Sequence, residues 1–245
     1  MQRKSIEVEK REVLDVGKKM RLGYAAVLSA MLVITVFSGT AADTFAEQEI
    51  REGRHCIVVD AGHGGEDGGC ISCTGIPESR YNLEIAVRLD ALLSFLGYHT
   101  EMIRTEDISV YRTGKTLAEK KISDLRYRTE FVNKSDSPLL LSIHQNQFPE
   151  KQYTGAQIFY NGKEEARKLA EILQNSFKKT VNPNSRRTAK RASGVYLMDH
   201  VETPGILIEC GFLSNPEEER KLRTAEHQNK IACVISSSVS RFLET

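Results

Sequence analysis

A chain of 245 residues, 40% of them apolar, can bury one substantial core and little beyond an appendage. Its formal charge of +1 is close to balance, which speaks against a nucleic-acid partner, since that needs a strongly basic face. Five cysteines are an odd number and cannot all pair internally.

The first 21 residues carry seven basic and four acidic side chains, and residues 22–42 are then free of charge, with Ala25-Ala26-Val27-Leu28 and Met31-Leu32-Val33-Ile34 at their centre. A basic flank before about 20 apolar residues fits a signal peptide or a single membrane anchor. Lys18, Lys19 and Arg21 should stay inside, so the rest of the chain is expected outside the cytoplasmic membrane, exported or anchored. Small residues near Ala42 and Ala46 permit cleavage, and both forms stay open. Residues 43–53 read as a polar linker, and the folded domain is expected over 54–245.

Cys56-Ile57-Val58-Val59-Asp60-Ala61 is an apolar, β-branched run that stops in Gly62-His63-Gly64-Gly65, the pattern of a buried strand ending in a sharp turn. A glycine-rich loop closes at Pro77 and Glu78. Leu83, Ile85, Ala86, Val87, Leu89, Leu92, Leu93 and Leu96 then recur at helical spacing until Gly97. Tyr98–Ile103 reads as a second strand, and a helix holds Leu125, Arg128, Phe131 and Val132. Leu139-Leu140-Leu141-Ser142-Ile143 is a third strand running into His144.

Further along, residues 155–160 read as a fourth strand, 163–180 as a helix and 194–198 as a fifth strand. Gly205-Ile206-Leu207-Ile208 is a sixth, running into Glu209. Pro216 opens a helix, and residues 225–242 supply a closing one with Ile231, Val234, Ile235, Val239 and Phe242 inward. Strands alternating with helices predict an α/β domain with a mostly parallel sheet of about six strands, covered by helices on both faces.

In such a sheet ligands bind beyond the carboxyl ends of the strands, where His63, His144 and Glu209 all fall. Two imidazoles and a carboxylate suit a catalytic zinc, which keeps three protein ligands, leaves a position for water and brings that water's pKa near neutrality. Glu78 is the preferred third ligand, because the glycine loop can fold it back over the sheet end while Glu84 falls among apolar neighbours. Asp60 is a candidate to orient His63. Glu209 remains to carry a proton as general base and then acid. His55, His99, His200 and His227 lack the strand-end setting, with His200 a candidate to line the cleft.

Three other motifs point elsewhere. Thr113-Gly114-Lys115-Thr116 imitates the tail of a phosphate-binding loop, but Ser109 stands where that pattern needs glycine. No Gly-x-Ser-x-Gly elbow exists for serine hydrolase chemistry. Cys70-x-x-Cys73 lacks a second pair for structural zinc and reads as a local disulfide or free thiols. The basic group Lys178, Lys179, Arg186, Arg187, Lys190 and Arg191 reads as a solvated loop or as a contact surface for an acidic wall polymer or partner.

Four segments in order resemble the zinc-dependent N-acetylmuramoyl-L-alanine amidases of the bacterial cell wall. Val59-Asp60-Ala61-Gly62-His63-Gly64-Gly65 matches the opening strand and ligand histidine. Gly75-Ile76-Pro77-Glu78-Ser79-Arg80-Tyr81-Asn82-Leu83 resembles the segment of the glutamate ligand. Ser142-Ile143-His144-Gln145-Asn146 resembles the second histidine segment, and the stretch from Ile208 and Glu209 to Pro216 that of the catalytic glutamate. The resemblance runs from about Cys56 to the C-terminus, with Ala61 where many members have proline and Gln145 where a small residue is common.

The resemblance implies one zinc on His63, Glu78 and His144, with Glu209 catalytic. The implied reaction is hydrolysis of the amide between the lactyl group of N-acetylmuramic acid and L-alanine in peptidoglycan. The Gly155–Tyr160 segment and the apolar leader look most like the sporulation branch, which prepares muramic δ-lactam in spore cortex. That branch implies a downstream muramic-acid deacetylase, and it leaves open whether an activator protein is also a partner. The rivals are a vegetative autolysin, a peptidase cutting between stem residues, and a wall-binding or partner-recruiting module of the same fold without turnover.

Overall fold

The run that opens the domain is β1 (Cys56–Ala61), and every one of its residues is buried. In the computed structural model, which describes residues 56–136 and 139–244, it is followed by α1 (Glu78–Phe95), β2 (His99–Met102), α2 (Leu117–Lys134), β3 (Leu139–Asn146) and β4 (Gln157–Tyr160). Then come α3 (Glu164–Thr180), β5 (Lys190–Arg191), α4 (Tyr196–His200), β6 (Gly205–Phe212), α5 (Pro216–Leu222) and α6 (Ala225–Leu243). The leader, apolar stretch and linker expected over residues 1–53, and His55, lie outside the described residues. Among the described residues no helix is long and apolar enough to cross a membrane.

The strands form one six-stranded sheet in the order β2-β1-β3-β6-β4-β5. β2, β1, β3 and β6 are mutually parallel, while β4 runs antiparallel to β6 and parallel to β5. Strand alternation sorts the core into two layers. Ile57, Val59, Leu141, Ile143, Ile206 and Ile208 face α1, α3 and α6, whereas Val58, Leu140 and Leu207 face Val132 of α2 and Leu197 and Met198 of α4. Full burial of such side chains is worth about 1.5–3 kcal/mol each, so both faces of the sheet are anchored.

Local signals set the helix ends. α1 begins after the extended Pro77, and Gly97 leaves it with φ 86°. Thr116 caps α2 in a capping box with Glu119, so the phosphate-loop lookalike is a helix start. Asn215 caps α5 and Pro216 fills its first turn, where proline's missing N–H costs nothing.

The fifth strand differs from expectation. It is the two-residue edge β5 rather than residues 194–198, which begin at Gly194 with φ 74° and continue into α4. Leu197, Met198 and Val201 are all buried against the sheet, and that spacing suits a helical turn, not a strand. α4 also carries His200 away from the cleft. Its imidazole stacks on Tyr196, and its carbonyl accepts from Asn133 at the end of α2, beside the amino ends of the strands.

Candidate metal centre

β1 delivers its chain end into a turn that only close backbone approach allows. A Cβ at Gly62 would overlap the His144 imidazole, and one at Gly69 would fall 2.6 Å from Glu78 Oε2 and 2.7 Å from His63 Cδ2. Between them His63 has φ 60°, alone among the described non-glycine residues in having a positive value. That conformation costs of order 1–3 kcal/mol and persists only where surroundings enforce it.

Those surroundings are two buried guanidinium groups. Arg128 of α2 donates to the carbonyls of His63 (2.7 Å) and Ala61 (3.0 Å) and to the Asp60 carboxylate. Arg104, just past β2, donates to Ala61 O (2.8 Å), Gly62 O (3.0 Å) and Ser79 O (2.9 Å). Gly62, the residue directly after β1, is thus tied to Ser79, the residue after Glu78. Burial raises the Asp60 pKa, but the charge of Arg128 and the Ser142 hydroxyl at 2.7 Å outweigh it and hold the carboxyl below its usual range. Asp60 therefore does not orient His63, because its place in the strand points it at α2. Asp67 does so instead, its Oδ2 lying 3.0 Å from His63 Nδ1. That bond holds the Asp67 carboxyl below its usual range and leaves Nε2 facing inward.

Glu78 stands in the first turn of α1 with both oxygens directed at the histidines. Oε2 lies 3.4 Å from His63 Nε2, and Oε1 lies 3.0 Å from His144 Nδ1. Oε1 also accepts from the amide of Gln145 (3.1 Å) and from Asn82 (3.2 Å), and Oε2 from the amide of Cys70 (3.1 Å). Burial would raise the Glu78 pKa, yet the hydrogen bond and charge of His144, with His63 and the Gln145 amide, bring it below the usual range. Burial likewise disfavours the His144 imidazolium, and Glu78 more than reverses that, so its pKa is raised. Glu84 is elsewhere occupied, bound to Arg80 (3.1 Å) and to Gln228 (2.7 Å).

His63, Glu78 and His144 each offer a ligand atom, all within 4.8 Å of one another, and the imidazole rings are edge-on at 5.0 Å between centroids. Nitrogen, nitrogen and carboxylate oxygen converging in this way fit a divalent cation such as zinc. Glu209 pairs with His144 across β3 and β6. Its Oε2 is buried without a hydrogen-bond partner among the described residues. Burial pushes its pKa up to about 7; His144 lowers it and Glu78 adds to the rise. A carboxyl of that kind can take or give a proton at neutral pH.

Among the described residues a second triplet, Cys56, His99 and Glu101, brings ligand atoms equally close at the amino ends of β1 and β2. Ser135 already bridges its Cys56 and Glu101 side chains. All five cysteines are free, so Cys70 and Cys73 form no local disulfide. The basic group is divided: Lys178 and Lys179 end α3, Lys190 and Arg191 form β5, and Arg187 packs over Phe212.

Sequence reasoning missed Asp67, Arg104 and the clamp of Arg128. Arg128 did leave a signal, since it shares the apolar spacing of Leu125, Phe131 and Val132, and a charge on a core-facing helix stripe is buried only when paired. Asp67, four residues after His63 in an irregular loop, left none.

Comparison with known proteins gives the family. The profile of the N-acetylmuramoyl-L-alanine amidase family Amidase_3 matches residues 57–241. The germination-specific N-acetylmuramoyl-L-alanine amidase of Bacillus subtilis is 39% identical, over 76% of this chain and 78% of that one. The CwlD amidase of Clostridioides difficile, solved in complex with the GerS lipoprotein, superposes with a TM-score of 0.75 at 33% identity, over 78% of this chain and 99% of that one. An N-acetylmuramoyl-L-alanine amidase of Clostridium difficile 630 follows at 0.68 and 29%, over 78% and 98%. The chain belongs to the N-acetylmuramoyl-L-alanine amidase family and is an enzyme of peptidoglycan hydrolysis.

Proposed function

We propose that this chain is a zinc-dependent amidase that cuts between the lactyl group of N-acetylmuramic acid and L-alanine, with its metal on His63, Glu78 and His144. The convergence of those three ligand atoms within 4.8 Å carries the reading. When bound, zinc supplies Lewis-acid polarisation of the amide carbonyl and lowers the pKa of its water. The protein's own residues do the rest. Asp67 fixes His63 through Nδ1, and the Gln145 and Cys70 amides with Asn82 fix Glu78. Glu209 takes a proton at its carboxyl oxygen and hands it to the departing alanine amine.

The germination-specific relative and the CwlD amidase support a narrower role, stripping stem peptides in spore cortex so that muramic δ-lactam can form. A deacetylase would then act on the bared muramic residue. A lipoprotein partner comparable to GerS is the corresponding activator. The reading places the catalytic domain outside the cytoplasmic membrane, exported or anchored by residues 22–42.

The decisive test is mass analysis of muropeptides with and without the purified chain, before and after chelation. New L-alanine amino termini and peptide-free muramic acid, lost on chelation and restored by zinc, are expected. New termini on another stem residue would replace the amidase by a peptidase. Spores lacking the protein should be depleted of muramic δ-lactam, and an unchanged lactam content would overturn the cortex role.

A further inference from the structure

One flank of the cleft carries aromatic side chains that the core does not use. The loop after β3 exposes Phe148 (45%) and Tyr153 (39%), whose rings meet edge to face at 4.9 Å. Tyr153 stacks in turn on Phe212 at 6.1 Å, and the Arg187 guanidinium covers the Phe212 ring at 4.9 Å. Phe212 pairs with Asn146 just beyond the His144–Glu209 pair, which puts the cluster at the carboxyl end of β3 and β6, where the catalytic residues are. Adjacent exposed aromatics of this kind mark contact surfaces.

The loop is held open rather than left to collapse. The Phe148 amide donates to Ser214 Oγ (3.1 Å), Gln147 to Ile71 O (3.2 Å), and Asn215 to Lys151 O (2.7 Å). Arg187 spends donors on Thr154 O (3.2 Å) and Gln157 Oε1 (3.4 Å), so it braces the platform. The opposite flank, around α2, is different in kind. There a cavity of about 790 Å³ is lined by charges of both signs, Arg112, Lys115 and Arg126 with Glu119 and Glu130, and Lys120 ties that flank to Glu66 in the β1 loop.

We propose that the Phe148–Tyr153 pair is a subsite for the glycan strand, stacking the C–H face of an N-acetylated sugar next to the muramic residue being cleaved. The inference rests on the amidase reading above. A pyranose offers an apolar C–H face with polar edges, the counterpart of an exposed aromatic pair. A stem peptide offers charged and amide groups, which suit the charged and polar α2 flank rather than a ring face. The division sends glycan to one side of the metal centre and peptide to the other.

The test has a catalytic and a non-catalytic arm. With Phe148→Ala/Tyr153→Ala, KM for polymeric glycan bearing stem peptides should rise at least tenfold with kcat unchanged, while a muramoyl peptide with one sugar is cleaved as by the parent. Equal losses on both substrates, or none on either, would overturn the subsite. The chain has no tryptophan, so Tyr153→Trp installs a single reporter at the platform. Peptide-free oligomers of N-acetylglucosamine should shift its emission saturably, and Phe148→Ala should weaken that response at least tenfold. An emission unmoved by the oligomers would overturn the proposal whether or not the chain cleaves amides. Absence of L-alanine release by the parent from both substrates would instead refute the amidase reading.

Discussion

Glu209→Gln should lower kcat by about 10²–10⁴-fold, the range for loss of a general acid–base, while zinc content stays at that of the parent. Glutamine keeps the shape and the buried setting but cannot exchange a proton. The same substitution has a second consequence, which reports the burial of the carboxyl. The Glu209 pKa is raised from 4.5 to about 7 by burial. A raised folded-state value means that the folded protein holds the proton more tightly than the unfolded chain. The stabilisation is complete below about 4.5 and is lost as the pH rises through 7. The interval corresponds to about 3 kcal/mol. Metal-free parent and Glu209→Gln should therefore differ little at pH 4 in urea unfolding, with the variant gaining up to about 3 kcal/mol relative to the parent by pH 8. A difference that does not change with pH would remove the buried carboxyl from this account, and full activity in the variant would remove its catalytic role.

Much of this arrangement was legible in the chain because it depends on strand ends. Apolar runs of four or five residues stopping at His63, His144 and Glu209 predicted three parallel strands, and the sheet aligns them as neighbours in the order β1-β3-β6. Glu78 was legible because a glycine-rich loop precedes it and a helix follows. Each misreading has its own physical cause. Residues 194–198 and His200 belong to a segment whose helical form is decided by Leu197, Met198 and Val201 packing on the sheet, a tertiary effect that five residues cannot announce. Asp60 is a candidate partner of His63 by its place at the strand end, but strand alternation turns it to the α2 side, where Arg128 lies. The aromatic platform escaped because Phe148, Tyr153 and Phe212 come from two separate segments with no shared period.

Arg128→Met should destabilise the protein by about 3–5 kcal/mol, a large part of the 5–15 kcal/mol that holds an ordinary domain together. Asp60 is about 1% exposed, and Arg128 about 2%, so removing the guanidinium leaves a buried carboxylate without the cation that hydrogen-bonds it, with only the more distant charges of Arg104 and His144 acting on it. Ser142 alone then serves it, and Asp124 loses its bond of 2.6 Å from Arg128 Nε as well. If the charge is the cause, Asp60→Asn in the same background should recover part of the loss, since a neutral amide does not need the guanidinium. The effect should also reach the metal. Arg128 Nη2 holds the carbonyl of His63, whose φ of 60° would relax without it, while Glu78 and His144 keep their own partners. Zinc affinity measured by competition with a chelator should fall at a temperature where circular dichroism still reports a folded domain. Unchanged affinity in a folded Arg128→Met protein would limit the guanidinium to stability, and a loss below about 1 kcal/mol would show that the pair contributes no more than a surface salt bridge.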